Sequence, residues 1–557
     1  MHHPAAAPSH PAPTDRQAPH RPCGLAASQR GYTSQHGKAP MRQLYLALSD
    51  APRAGDPALD AAADWLDARL RGARQDGDNM EHGVGHAVLP ADAAGFAAWQ
   101  AARHEAIDEQ YKQYVAERRA GAPRRMFSGR AHALHYLSAV APARLTDGAW
   151  LYGILARWDD AALRPLIATY LEELGNGVPD KNHVVIFQQL IDAHGCTRWR
   201  QLDETHFHSG LTQLALAHHA ERFLPELVGY NLGAEHASLD TLVAAYEMNE
   251  LGVDPYYFTL HATVDNSATG HARLALEALH ALTPPAGTGA DASADFFARV
   301  QAGLRLHQHA PTSTDLLASF DLERELIAVL ADKHIAAHGA DGSANPAASV
   351  EIAGRALGDW LSDPAQVRAL LAALEGHGWV VRGGDPTISR LWRLIEADAE
   401  VVAQADAQVN AQADTHADER DKGDAKDDAV APLSGLFSPY ELALLADWIA
   451  TDPRAPHIAP AAAARARRPG TPPAMPPAPP RRVEESAARG IIRHRFPDDE
   501  HGWEAIANEL TLLEARVVAS NSKAEAIALL TALMTPSNHH TSTGLMATRM
   551  FSKLFTA

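Results

Sequence analysis

The residues best suited to do chemistry lie in DPYYFTLHATVDNSATGHARLALEA, residues 254–278. Asp254 can cap a helix, and Pro255 suits the first helical position, where a missing N–H costs nothing. Winding the stretch as a helix predicts one stripe through Tyr257, His261, Asp265, Ala268, His271 and Ala275. That stripe is otherwise apolar or small and should face a core. A carboxylate and two imidazoles placed in a core need partners, because leaving them bare costs several kcal/mol. A metal ion serves all three. A buried hydrogen-bonded network is the alternative.

Two further stretches supply groups of the same kind. In LRPLIATYLEELGNGVPDKNHVVIFQQLIDAHG, residues 163–195, helical spacing puts Leu163, Leu166, Tyr170 and Glu173 on one stripe and leaves Glu172 on a more polar side. Gly175, Gly177 and Pro179 then interrupt the helix. A second helix is expected from near Asp180, with His183, Phe187, Leu190 and His194 down one face. Glu173, Asp180 and His183 would converge on that break, although Asp180 is equally suited to a plain N-cap.

In RFLPELVGYNLGAEHASLDTLVAAYEMNELG, residues 222–252, a single helix would carry Leu224, Val228, Leu232, Glu235, Leu239, Leu242 and Tyr246 as a core stripe. Glu226 lies half a turn round, so a regular helix cannot aim both glutamates at one site. Glu235, in mid-stripe, is the one expected there. Gly229 and Gly233 would let a neighbouring helix come close, and His236 falls off the stripe on the exposed side.

These stretches offer four carboxylates and three imidazoles: Glu173, Asp180, Glu235 and Asp265 with His183, His261 and His271. Mixed carboxylate–imidazole shells without sulfur suit iron or manganese, and helical bundles build them from inward residues of several helices. Structural zinc would favour cysteines. Haem needs one or two axial ligands, not a cluster of acids. The number of groups fits two ions better than one. Other histidines carry less: His82 and His86 sit among glycines, His2 and His3 in a polar tail, and the adjacent His539 and His540 point apart, as in a cap or interface.

The elements that must position these groups are helical. Ala, Leu and His are abundant and β-branched runs few, so the fold class expected is all-α. The chain has 557 residues, enough for more than one unit or one with long appendages. A net charge of −19 argues against nucleic acid as partner. Cys23 and Cys196 make neither a disulfide framework nor a thiolate site, which fits a reducing, cytoplasmic setting. No apolar run is long enough to span a membrane, and none resembles a signal peptide.

The reading along the chain gives a disordered tail at 1–40, a helical segment at 41–99, the candidate site domain at 100–285 and a helical extension at 286–399. An acidic disordered insertion follows at 400–432. Residues 433–557 form a C-terminal helical segment with a Pro/Ala/Arg-rich linker at 453–484.

ELGNGVPDKNH, FLPELVGYNLGAE and DPYYFTLHATVDNSATGH resemble the iron-containing redox enzymes with a haem-oxygenase-like helical bundle, the haem-oxygenase-like diiron oxidases and oxygenases. Later segments such as GWVVRGGDPTISRLWRLIE and SNHHTSTGLMATRMFSKLF are similar to the C-terminal extension of one long subgroup. The resemblance implies a site of Glu173 and His183, then Glu235, then His261 and Asp265. Many members place a final histidine at the position of Ala268 here, so His271 is the substitute. Some have Glu at the position of Asp180.

It also implies two Fe(II) ions, O2 as co-substrate and room for an external electron donor. The implied substrate is a small organic molecule of amine, amino-acid or fatty-acid type. Members differ in chemistry, from N-oxygenation to oxidative C–C cleavage, so the fold does not fix the reaction. Small-molecule substrate rather than nucleic acid or membrane is the expected partner, and a homodimer is compatible with the sequence. A non-catalytic metal- or haem-binding helical protein is the alternative.

Overall fold

Ala- and Leu-rich periodicity with capped starts makes helices, and the computed structural model is built from them. It describes residues 40–80, 89–236, 238–264, 270–285, 290–333, 350–361, 364–393, 395, 437–452 and 500–556. The expected tail, acidic insertion and Pro-rich linker fall outside these residues. So do His2, His3, His82, His86 and Asp265.

The chain opens with α1 (Met41–Ser49), α2 (Pro57–Met80) and α3 (Ala93–Arg119). The helices around the site follow: α4 (Arg130–Arg144), α5 (Arg164–Glu173), α6 (His183–Ala193), α7 (His208–His218), α8 (Leu224–Ala234), α9 (Leu239–Glu250), α10 (Tyr256–Val264), α11 (His271–Leu282) and α12 (Ala290–Gln308). A 3-10 helix at Ala149–Arg157 buries Trp150, Leu151, Ile154 and Leu155. Among the described residues the only strands are Glu351–Ile352 and Arg355–Ala356, an antiparallel pair. Helices Pro439–Ala450, Glu500–Val518, Lys523–Leu533 and Ser542–Thr556 complete the all-α fold.

α4 is the central post, buried from Ala131 through Pro142. Its first turn has unsatisfied backbone donors, and Asp447 of the helix Pro439–Ala450 accepts from Ala131 N at 2.8 Å. Gly129 is needed for this approach, since a Cβ there would lie 2.3 Å from Asp447 Oδ2. Glu247 of α9 fixes the turn before α4. Its fully buried carboxylate accepts from Tyr114 Oη (2.7 Å), Met126 N (3.0 Å), Phe127 N (2.8 Å) and Arg125 N.

Two helices expected to be continuous are broken. The core stripe through Glu235 does not run on to Tyr246: α8 stops at Ala234, Glu235 is its C-cap, and α9 starts anew at Leu239. Leu239, Leu242 and Tyr246 are accordingly only half-buried. The stripe from Tyr257 to Ala275 is also split, because Gly270 is extended and caps a separate α11 that begins at His271. Periodicity alone cannot register such a break when each fragment keeps the helical spacing.

α8 and α12 cross with their backbones in contact. A Cβ on Gly229 would lie 1.8 Å from Val300 O, and one on Gly303 1.8 Å from Glu226 O. Beside this crossing Glu226 is buried and paired with Arg299 (2.6 and 2.8 Å) and Arg74 (2.9 Å). Glu226 is thus a structural anchor away from the other acids. Removing the Glu226 charge leaves two arginines that are partly exposed and can turn to water, so the cost falls below the several kcal/mol of a fully buried pair. Glu226→Gln is expected to lower the melting temperature while leaving bound metal unchanged. Elemental analysis of the purified variant checks this, and loss of metal would return Glu226 to the site.

Candidate metal centre

Each candidate reaches the centre from a helix end, where the backbone turns and side chains converge. Glu173 closes α5, and His183 opens α6 after the 3-10 turns at Gly175–Gly177 and Pro179–Lys181. Gly175, Asn176 and Gly177 all have positive φ, the left-handed conformation that glycine and asparagine tolerate and that reverses the chain in so few residues. Asn182 caps α6 by accepting from Val185 N at 2.9 Å. Glu235 caps α8, His261 lies on α10, and His271 opens α11.

The centre has two halves. Asp147, Glu173, His183 and His261 form one group and Glu173, Glu235 and His271 the other, with the potential ligand atoms of each within 4.8 Å of one another. Glu173 belongs to both. Its Oε2 is 2.6 Å from His183 Nδ1, and its Oε1 is 3.1 Å from His271 Nδ1. In the first half His261 Nε2 is 2.9 Å and His183 Nδ1 3.9 Å from Asp147 Oδ2. In the second, His271 Nδ1 is 2.9 Å from Glu235 Oε2. Asp147, Glu173, His183, Glu235 and His271 are all at most 4% exposed.

Burial and charge oppose each other here. Burial alone pushes the Glu173 carboxyl up, but the charges of His183 and His271 beside it hold it well below the usual carboxylate range. Asp147 behaves likewise: burial and Glu173 raise it, while His261 and Arg144 bring it below its ordinary value. Both are therefore ionised carboxylates whose charge the neighbouring cationic groups offset.

The donor set fits a metal. Glu173 Oε2 and His183 Nδ1 are buried and close, yet neither makes a hydrogen bond of acceptable geometry. They face each other as two lone pairs around a common point would. His261 Nδ1 donates to Tyr257 O at 2.9 Å, which fixes that nitrogen's proton and leaves Nε2, 2.9 Å from Asp147 Oδ2, as the nitrogen that would turn to a metal. Tyr257 Oη donates to Asp147 Oδ2 at 2.7 Å and orients that carboxylate. Six oxygen and nitrogen side chains with no sulfur suit iron or manganese.

Of the residues expected from sequence, the structure brings together Glu173, His183, Glu235, His261 and His271. Asp180 is not among them: it is exposed on the 3-10 turn, where its backbone carbonyl accepts from Tyr256 Oη at 3.1 Å. The helix begins three residues later than expected, so Asp180 is turned away from the break. Glu172, placed on the polar side by spacing, is half-exposed, and its Oε2 still lies 3.1 Å from His271 Nε2. His236, expected exposed, is buried edge-on against Trp99.

Sequence reasoning missed Asp147. In LTDGAWL it looks like a turn residue ahead of an apolar helix. The one signal was its neighbour Gly148, whose positive φ and missing Cβ let this turn lie against Glu173; a Cβ there would sit 2.8 Å from Glu173 Cβ.

The helical fold thus gathers buried carboxylates and imidazoles at its helix ends, in a donor set that could hold a metal ion. Residues 134–304 match the family described as iron-containing redox enzymes. No curated protein and no solved structure matches the chain. The matched segment contains every described member of both ligand groups. No helix among the described residues is long and apolar enough to cross a membrane.

Proposed function

We propose that this protein is a non-haem diiron oxidase or oxygenase that uses O2, with an external electron donor, to oxidise a small organic substrate of amine, amino-acid or fatty-acid type. The observation that supports it most is the sharing of Glu173 between the two ligand groups, the arrangement a bridging carboxylate needs. Two ferrous ions held there would supply the electrons and open positions at which O2 is reduced.

The chain's own residues hold and tune that site. Asp147, His183 and His261 would hold one ion, Glu235 and His271 the other, and Glu173 both. Asp265 enters this reading through the resemblance alone. The three carboxylates Asp147, Glu173 and Glu235 would offset most of the charge of two ferrous ions, so the burial of the site need not expel the metal. Tyr257 Oη keeps Asp147 aimed inward, and Tyr257 O keeps His261 in the tautomer that offers Nε2. The partner is a small molecule rather than nucleic acid or membrane, in a cytoplasmic setting, and a homodimer is compatible with the reading.

The test is anaerobic ferrous loading, elemental analysis, and an absorbance trace on mixing with O2. Two irons per chain and a transient visible band are expected. One iron or none, with no band, would leave a non-catalytic binding protein. Tyr257→Phe supplies a finer check: it should keep both irons but weaken the Asp147 half by about 10–100-fold, as loss of a partner behind a ligand does. Unchanged ferrous affinity in that variant would remove Tyr257 from the site's support.

A further inference from the structure

The C-terminal helix Ser542–Thr556 and the turn before it lie outside the family match yet pack on the loop between Glu173 and His183. A Cβ on Gly177 would lie 2.4 Å from Leu545 O, so this loop and the C-terminal helix meet backbone to backbone. Ser552 Oγ donates to Asn176 Oδ1 at 2.8 Å.

One residue of the segment reaches further. His539 is 1% exposed and caps the 3-10 turn Pro536–Asn538 leading to that helix. Tyr170 Oη donates to Met534 O at 2.7 Å, so the 2.9 Å contact between that hydroxyl and His539 Nε2 is a bond donated by the imidazole. The carbonyl of His539 accepts from Asn182 Nδ2 at 3.0 Å, and the same amide donates to Leu174 O at 3.3 Å. Tyr170 is one turn before Glu173 on α5, and Asn182 immediately precedes His183. His539 therefore grips both ligand-bearing elements, one with its ring and one with its backbone. Burial keeps the ring neutral, with its pKa down at about 3.

We propose that His539 is a positioning residue of the metal centre, through which the C-terminal segment sets the separation between Glu173 and His183. This rests on the diiron reading for its metal consequence, but the clamp itself can be read without metal. A buried residue that ties down two elements, donating to one and accepting from the other, fixes them more tightly than either does alone, because the loop between them then loses little further freedom on binding an ion.

The experiment compares the native full-length chain with His539→Ala, His539→Gln and Tyr170→Phe. Amide hydrogen exchange at 174–183 is followed in metal-free protein. Anaerobic ferrous titration and near-infrared circular dichroism of the ferrous ligand-field bands follow. His539→Ala should speed exchange at 174–183 about tenfold or more, weaken one ferrous binding step about 10–100-fold and shift the bands.

His539→Gln, whose amide nitrogen reaches about as far as Nε2, should restore both readouts towards native. Tyr170→Phe removes the oxygen that receives this bond together with its own bond to Met534 O, so it should reproduce the effect and decides the matter if His539→Ala does not fold. Native exchange and native bands in Tyr170→Phe and any folded alanine variant would overturn the proposal. So would a glutamine variant as disturbed as alanine, which would make His539 a space-filling residue. A native chain that binds no iron while His539→Ala still loosens 174–183 would sink the diiron reading and leave the clamp standing.

Discussion

Glu173→Ala is expected to yield a folded chain that binds neither ion under the ferrous loading that fills the native protein. The two carboxylate oxygens of Glu173 face different halves of the centre, 2.6 Å from His183 and 3.1 Å from His271. Each half therefore loses a ligand, and the imidazoles on both sides lose their strongest neighbouring charge. A fall of about 100-fold or more in both binding steps is the scale, since residues merely supporting a ligand already cost 10–100-fold. Glu235→Ala should behave differently, because Asp147, Glu173, His183 and His261 remain. It should keep one ion and lose the other. Isothermal titration with elemental analysis measures both. One ion held at native affinity in Glu173→Ala would end the shared-carboxylate description.

Acid should unfold the metal-free protein well above the pH at which carboxylates titrate. Burial holds His132, His208 and His307 down at about 4, and His135 and His539 at about 3, against an ordinary 6.5. These imidazoles are neutral in the native chain and take up protons on unfolding below pH 6.5. Their contribution to stability is thus complete above 6.5 and drains away as pH falls towards the folded values. By pH 5 each has removed about 2 kcal/mol, so a few suffice to exhaust a typical net stability of about 5–15 kcal/mol. The depressed carboxyls of Asp147 and Glu173 act in the same direction further down, below their own unfolded values. Denaturant melts in chelator at about pH 7.5 and about pH 5 should show a steep drop in midpoint; equal midpoints would mean that these histidines are already protonated when folded.

The helical fold was legible because apolar spacing persists through α5, α6 and α8, and burial in the core rewards that spacing directly. Glu173 and His183 were legible for a related reason: an acid and an imidazole on apolar faces flank a Gly–Pro break. Helix ends were harder. Glu235 and His271 reach the centre by terminating or opening helices, whereas spacing placed them in mid-stripe. Asp180 looked like a ligand because its position in the break was right, and only the extra 3-10 turn exposes it. Asp147 was illegible since an Asp–Gly turn reads the same whether its carboxylate faces water or a core. The grip of His539 spans more than 350 positions of chain, beyond any local pattern.

The backbone contact between α8 and α12 has a mechanical consequence. Two helices touching at Gly229 and Gly303 cannot slide or part without losing that fit, so α8 acts as a stiff beam with Glu235 at its free end. A single methyl group at the crossing would act as a wedge, and the displacement would travel along the beam to its tip. Sequence variation at those two glycines is thereby policed by the spacing of the acid that α8 carries, although the nearest contacts of both are the facing helix's backbone.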